Sequence, residues 1–144
     1  MNYVFQSDHQ NTFSIYVTGG GSIAIANILQ VPGASSSFID GQVPYSHAAL
    51  QEIIYTDRDI PSSSLSSCSS EMAVRMSKAA YKKSIELILQ ENTNLNSLIS
   101  KNIFGVGCTA AIVSSQPKKG PHRCHVASSN NKEHRIFSLE LEKG

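Results

Sequence analysis

The feature that most restricts the fold is a strand-like run that ends in three consecutive glycines and passes directly into a helix-like run. Residues 13–18, Phe-Ser-Ile-Tyr-Val-Thr, alternate and are rich in β-branched and aromatic side chains, the pattern of a strand. Gly19-Gly20-Gly21 break that strand. Ser22 is a good N-cap for a helix over residues 23–30, in which Ile25, Ile28 and Leu29 fall on one stripe. Pro32-Gly33 ends the helix and opens the serine loop Ala34-Ser35-Ser36-Ser37. A short strand over residues 38–43 follows, and Ser46 is the N-cap of a second helix over about 47–55.

The rest of the chain continues the alternation. Residues 57–67, serine-rich with Pro61, read as a loop. Ser69 or Ser70 opens the longest helix, which runs to about Gln90 with Met72, Met76, Ala79, Ala80, Leu87 and Ile88 on one side. After the polar stretch 92–100, residues 103–113 hold an apolar strand ending in a Gly-x-Gly turn at Gly105 and Gly107. Beyond a loop at 116–121, residues 123–128 and 134–141 form a hairpin across the turn 129–131. In that hairpin Phe137, Leu139 and Leu141 share a face. The pattern predicts a three-layer α/β/α sandwich with a mixed, mainly parallel sheet and a C-terminal hairpin. Residues 1–12 read as a flexible arm and 13–144 as one domain.

Bulk properties narrow the function classes. The 144 residues are the usual size of one domain, and 40% hydrophobic against 16% charged residues supports a real core. A net charge of +1 with no block of one sign argues against nucleic acid or an anionic membrane surface as partner. No apolar run approaches the roughly 20 residues of a membrane span. The polar N-terminus lacks the apolar segment of a secretory leader, and Cys68, Cys108 and Cys124 contain no C-x-x-C pair. Both observations fit a reducing cytoplasm. Cys124-His125 with His122 offers too few convergent ligands for zinc, so no metal and no cofactor is expected.

Three places can carry chemistry. The Thr18 to Ser22 turn sets bare backbone N–H groups at a helix start, which suits an anion or a polar amide, though a plain tight turn looks the same. In α/β sheets ligands lie beyond the carboxyl ends of parallel strands, and Thr18-Gly19-Gly20 and Gly107-Cys108-Thr109 read as such junctions. A serine of the 34–37 loop becomes a nucleophile only with a base in reach, for which Tyr45 and His47 are the candidates. Finally, Lys118-Lys119-Gly120-Pro121-His122-Arg123 concentrates positive charge. It can clamp a phosphate, with Arg123 bidentate, or simply face solvent.

Taken in order, Thr-Gly-Gly-Gly-Ser at 18–22, Val-Pro-Gly-Ala-Ser-Ser-Ser-Phe at 31–38 and Pro-Tyr-Ser at 44–46 resemble the C-terminal domain of the CinA family. That family's runs are approximately E-S-C-T-G-G, V-P-G-S-S-x-x-F and V-x-Y-S-N-E-A-K. Ser69-Ser70-Glu71-Met72-Ala73-Val74-Arg75-Met76 looks like its V-S-E-x-V-A-x-x-M-A helix, and G-V-G-C-T-A stands where it has T-G-I-A-G-P. The likeness spans residues 13–141. It implies a hydrolase converting nicotinamide mononucleotide to nicotinic acid mononucleotide and ammonia, with Ser35 as nucleophile and Tyr45 as its helper. Thr18, Gly19, Gly20, Ser36, Gly107 and Thr109 would then contact the substrate, while Lys119 and Arg123 are phosphate candidates from charge alone. Family precedent also implies a homodimer and association with a nucleotidyltransferase-like region.

Several positions depart from the family pattern. Leu50 stands where the family has its lysine, and an apolar side chain can neither depress a tyrosine pKa nor relay a proton. Tyr16 and Val17 replace the acid and cysteine before T-G-G, and the terminal helices of the family have no counterpart in 1–144. With these departures the chain resembles a divergent branch of that family. They keep open the alternative of a catalytically inactive nucleotide-binding or interaction module with the same fold.

Overall fold

Alternating hydrophobicity makes β1 (Asn11–Gly19) a strand that is buried on both faces, and every other layer is organised around it. The computed structural model describes residues 11–55, 65–91, 102–112, 115–116 and 119–142. After β1 come α1 (Ile23–Leu29), a 3₁₀ turn (Ala34–Ser36), β2 (Phe38–Gln42), α2 (His47–Ile54), α3 (Ser70–Glu91), β3 (Asn102–Ala111), β4 (His122–Ser129) and β5 (His134–Leu141). The strands form one sheet in the order β2-β1-β3-β4-β5. β1 is parallel to β2 and β3, and the two remaining pairs are antiparallel. The mixed sheet and C-terminal hairpin are as anticipated. Parallel and antiparallel pairs are equal in number, because the hairpin contributes as many pairings as the crossovers.

Register sorts the side chains by layer. Ser14, Tyr16 and Thr18 lie beside Gly105, Gly107 and Thr109 on one face. On that face Tyr16 packs with Leu50 and Ile54 of α2 and Met72, Met76 and Ala80 of α3. The buried hydroxyls that helix and sheet share are satisfied mutually: Ser84 donates to Ser14 at 2.7 Å, and Ser77 pairs with Ser129. On the opposite face Phe13 stacks on Phe104 with centroids 5.2 Å apart and meets Phe38 edge-on at 5.8 Å. The third layer there is α1, whose Ile25 approaches Gly41 of β2.

Local signals explain most boundaries, with three corrections. Ser46 caps α2 by accepting the Ala49 N–H, and Ser69 does the same for Met72 at the start of α3. Ser22, by contrast, has helical dihedrals and makes no side-chain cap bond. Leu29 points to solvent instead of sharing a buried stripe with Ile25 and Ile28, since α1 buries no residue completely. The expected arm also gives up Asn11 and Thr12 to β1, because both pair with β3. Residues 1–10, 57–64, 92–100 and 117–118, on which other expectations fell, lie outside the described residues.

Candidate functional site

The chain leaves β1 toward β2 over one face and reaches β3 over the other, so the topological switch point lies at the carboxyl ends of β1 and β3. Gly19 and Gly21 turn the chain there with φ of 75° and 99°, values that only glycine adopts without strain. Gly19 also needs to be bare: a Cβ would stand 2.1 Å from the Ala110 carbonyl oxygen. The Gly20 N–H donates to that same oxygen at 3.0 Å, so it is occupied by the β1–β3 junction and is not a free donor for substrate. Among the described residues, nothing accepts from the amides of Gly21 and Ser22, which are exposed. The donor pair at this turn is therefore two residues later than expected, at Gly21 and Ser22 instead of Gly19 and Gly20.

The Thr18 and Thr109 hydroxyls are each engaged by a backbone carbonyl of the chain itself. The buried Thr18 hydroxyl donates to the Pro44 carbonyl at 2.8 Å, fastening the segment that carries Tyr45 to the end of β1. Thr109 donates to the Ser67 carbonyl and fastens the lead into α3 to the end of β3. Tyr45 itself is 77% exposed beside the turn. Arg123, the second residue of β4, lies opposite Ala111, the last residue of β3, and is exposed. Lys119 lies in the loop just before it, also exposed. Hence Thr18, Gly19, Gly20, Tyr45, Lys119 and Arg123 do share one end of the sheet.

Ser35 and Ser36 do not. α1 carries the chain back to the amino end of the sheet, where the Phe13 N–H donates to the Ser37 carbonyl at 2.8 Å. β2 then runs its full length before Pro44 meets Thr18. At about 3.3 Å per residue, Ser35 and Tyr45 are separated by roughly 15–20 Å. A general base must lie within about 3 Å of the proton it takes, so Tyr45 cannot activate Ser35 of the same chain. Ser36 is engaged locally, donating to the Gly33 carbonyl at 2.8 Å. The signal that would have separated these residues was available: a parallel β-α-β unit always starts its second strand at the end opposite the first turn.

The Gly-x-Gly expectation is also corrected. Gly105 and Gly107 lie inside β3 and not at its end. A Cβ on Gly107 would be 2.3 Å from the Ala73 carbonyl oxygen, and one on Gly105 would be 2.1 Å from that of Ser77. Both glycines seat α3 against the sheet, so Gly107 has no open side toward a ligand. The matching signal is the run of small residues Ala73, Ser77, Ala80 and Ser84, all buried, on the facing stripe of α3.

Two features went unnoticed in the sequence. The three cysteines, far apart in the chain, gather beside the glycine turn. The Cys108 thiol hydrogen-bonds Cys124, and burial followed by these two sulfur neighbours, Cys124 and Cys68, pushes it up to about 12. A groove of about 610 Å³ also runs between α2 and α3, floored by Tyr16 and Gln42 and edged by Lys78, Lys83 and Glu86. Burial, with Asp40 and Glu86 nearby, raises the Tyr16 phenol to about 12, which keeps it a neutral acceptor for Gln42 at 3.4 Å. Beneath the groove Leu50 is 2% exposed.

Solved structures with this architecture bear out the expected fold. The competence/damage inducible protein CihA from Agrobacterium tumefaciens aligns over 93% of this chain and 72% of its own, with 15% identity and a TM-score of 0.63. A CinA superfamily protein from Escherichia coli aligns over 94% and 70%, with 12% identity and a TM-score of 0.60. Another from Enterobacter cloacae aligns over 99% and 74%, with 8% identity and a TM-score of 0.64. No family model and no curated protein matches the sequence. At these identities the likeness is one of fold.

Proposed function

Starting from a CinA-type fold, we propose that this domain binds a small anionic molecule of the nucleotide class at the carboxyl ends of β1 and β3, without hydrolysing it through Ser35. The observation that carries this reading is the separation of the two halves of the expected serine site. Tyr45, the glycine turn, Lys119 and Arg123 lie together at the switch point, while Ser35 lies at the far end of β2. Exposed amides at Gly21 and Ser22 and the Arg123 guanidinium suit phosphate oxygens, and the Tyr45 ring offers an exposed face for a base. Leu50, in the place of the family lysine, lies in the core and offers no proton relay.

Calorimetry with nicotinamide mononucleotide, paired with an ammonia-release assay, tests the reading. Binding is expected, weakened by Arg123→Ala and Tyr45→Ala and untouched by Ser35→Ala, with no ammonia formed. No binding refutes the assignment of the ligand, and Ser35-dependent ammonia refutes the assignment of an inactive site. Because Ser35 and Tyr45 are both exposed, a hydrolase completed by a second copy is the other reading. It requires that a mixture of Ser35→Ala and Tyr45→Phe proteins be more active than either variant alone.

A further inference from the structure

The chain's three cysteines arrive from three places: Cys68 just before α3, Cys108 inside β3 and Cys124 inside β4. The β3–β4 register sets Cys108 opposite Val126 and Cys124 opposite Ala110. Residues two apart on a strand share a face, as do residues directly opposite, so Cys108 and Cys124 are diagonal neighbours on one face of the sheet. That is the face α1 covers, and the Cys108 sulfur lies beneath the glycine turn, 3.7 Å from where a Cβ on Gly21 would stand. The Cys108 and Cys124 thiols are hydrogen-bonded to each other. Both are half-buried, open enough to meet a small solute and enclosed enough to keep a fixed geometry. Cys68 stands apart from the pair: its thiol donates to the Arg123 carbonyl at 3.8 Å, on the backbone next to Cys124 and not on its sulfur. The geometry points to Cys108 and Cys124 as a reversible dithiol site, which a low-molecular-weight disulfide converts to a disulfide bridge between β3 and β4.

The exchange runs between thiols and disulfides alone. A thiolate, not a thiol, attacks sulfur. Burial, then the Cys124 and Cys68 sulfurs, push the Cys108 thiol up to about 12, so Cys124 attacks first. Cys124 gives its proton to solvent, bonds to one sulfur of the small disulfide and releases the other half as a thiolate. In this mixed disulfide Cys124 has neither a charge nor a thiol proton. That removes two of the causes that hold Cys108 protonated, repulsion by a Cys124 thiolate and the hydrogen bond between the thiols. Cys108 then gives its proton to solvent, attacks the Cys124 sulfur and expels the remaining half as a second thiolate. Both thiolates take up protons. Two protein thiols and one small disulfide thus become one protein disulfide and two small thiols; the protein sulfurs are oxidised and the small disulfide is reduced. The two sulfurs need only move from hydrogen-bond contact to bonding distance, about 2.05 Å. The bridge forms whether or not a nucleotide binds nearby, so the inference stands or falls separately from the ligand assignment.

The test uses the full chain, with oxidised glutathione as the probe. Trypsin cuts after Arg75, Lys101, Lys118 and Arg123, so each cysteine lies in a different peptide. Mass spectrometry of the folded wild-type protein is expected to find the Cys108 and Cys124 peptides joined, two hydrogens lighter than their sum, and separate again after dithiothreitol. Cys68→Ser is expected to leave that joined pair intact. Cys108→Ser should stop at a mixed disulfide, with one glutathione on Cys124. In Cys124→Ser, burial still holds Cys108 protonated, and Cys108 should take up glutathione on the order of tenfold more slowly than Cys124 does in Cys108→Ser. The wild-type map decides without any variant. Cys108 and Cys124 found only as free thiols or as separate mixed disulfides overturn the site, and so does a wild-type protein in which Cys68 is the main partner of either. Equal rates in the two single variants overturn the order of attack.

Discussion

Replacing Gly107 by alanine separates its two possible roles, a backbone donor for a ligand or a seat for a helix. In the structure the added Cβ would meet the Ala73 carbonyl oxygen at 2.3 Å, the Ser77 nitrogen at 2.6 Å and the Met76 Cβ at 2.7 Å. Two of these are helix backbone atoms, which cannot rotate aside. Bringing the first to the ordinary 3.4 Å contact requires α3 to withdraw by about 1 Å along the stretch that carries Ala73, Met76 and Ser77, all buried. Overpacking of this kind costs about 1–3 kcal/mol, and contact with backbone belongs at the upper end. The lower unfolded-state entropy of alanine returns about 0.5–1 kcal/mol. The net loss is then about 2 kcal/mol, or a fall in Tm of roughly 4–8 °C for a chain of this length. Urea and thermal denaturation measure it, with Gly120→Ala as control because nothing lies within 4 Å of the new methyl there. If Gly107→Ala melts within about 1 °C of that control while losing nucleotide affinity, the helix-seat argument is refuted.

Three further outcomes follow from the core and its titrating groups. Ser84→Ala leaves the buried Ser14 hydroxyl without its 2.7 Å donor and is expected to cost about 1–3 kcal/mol, whereas removing both hydroxyls in Ser14→Ala/Ser84→Ala should cost less than the sum, as read by urea titration. Tyr16 has a folded pKa raised from 10.0 to about 12, so the folded state holds its proton after the unfolded chain has lost it. Its contribution is full below pH 10 and is lost as pH rises toward 12. Stability measured through that range should therefore fall, and the fall should be shallower in Tyr16→Phe. Leu50→Lys, which restores the family residue in sequence, would set an ammonium among Tyr16, Met72 and Met76, and a loss of roughly 3–5 kcal/mol is expected with no ammonia release. A stable Leu50→Lys protein that deamidates nicotinamide mononucleotide would contradict both the core assignment and the inactive site.

Element types were legible because burial repeats with the period of the local structure. The alternation of 13–18 and 134–141, the caps at Ser46 and Ser69, and the Pro32-Gly33 break each report a local preference, and each falls at or within a residue or two of the element or boundary it marked. The order of strands and helices also carried the layered α/β class. Leu50 was visible as an apolar residue in a motif that elsewhere holds a lysine, and the structure adds that it faces the core.

What the sequence could not fix was where each local feature falls in space. A glycine between strand residues reads the same whether it turns the chain, as Gly19 does, or admits a helix backbone, as Gly105 and Gly107 do. Backbone space depends on a partner many residues away, here the stripe of small residues on α3. Likewise Ser35 and Tyr45 are ten positions apart in the chain, yet a five-residue strand stretched between them sends them to opposite ends of the sheet. The same crossovers bring Cys68, Cys108 and Cys124 together and leave one edge of β5 open. Sequence alone determined which segments are strands and helices and which residues have the chemistry to bind or react. Only the tertiary structure decided which of them meet, because meeting is set by how the chain crosses the sheet and not by spacing along it.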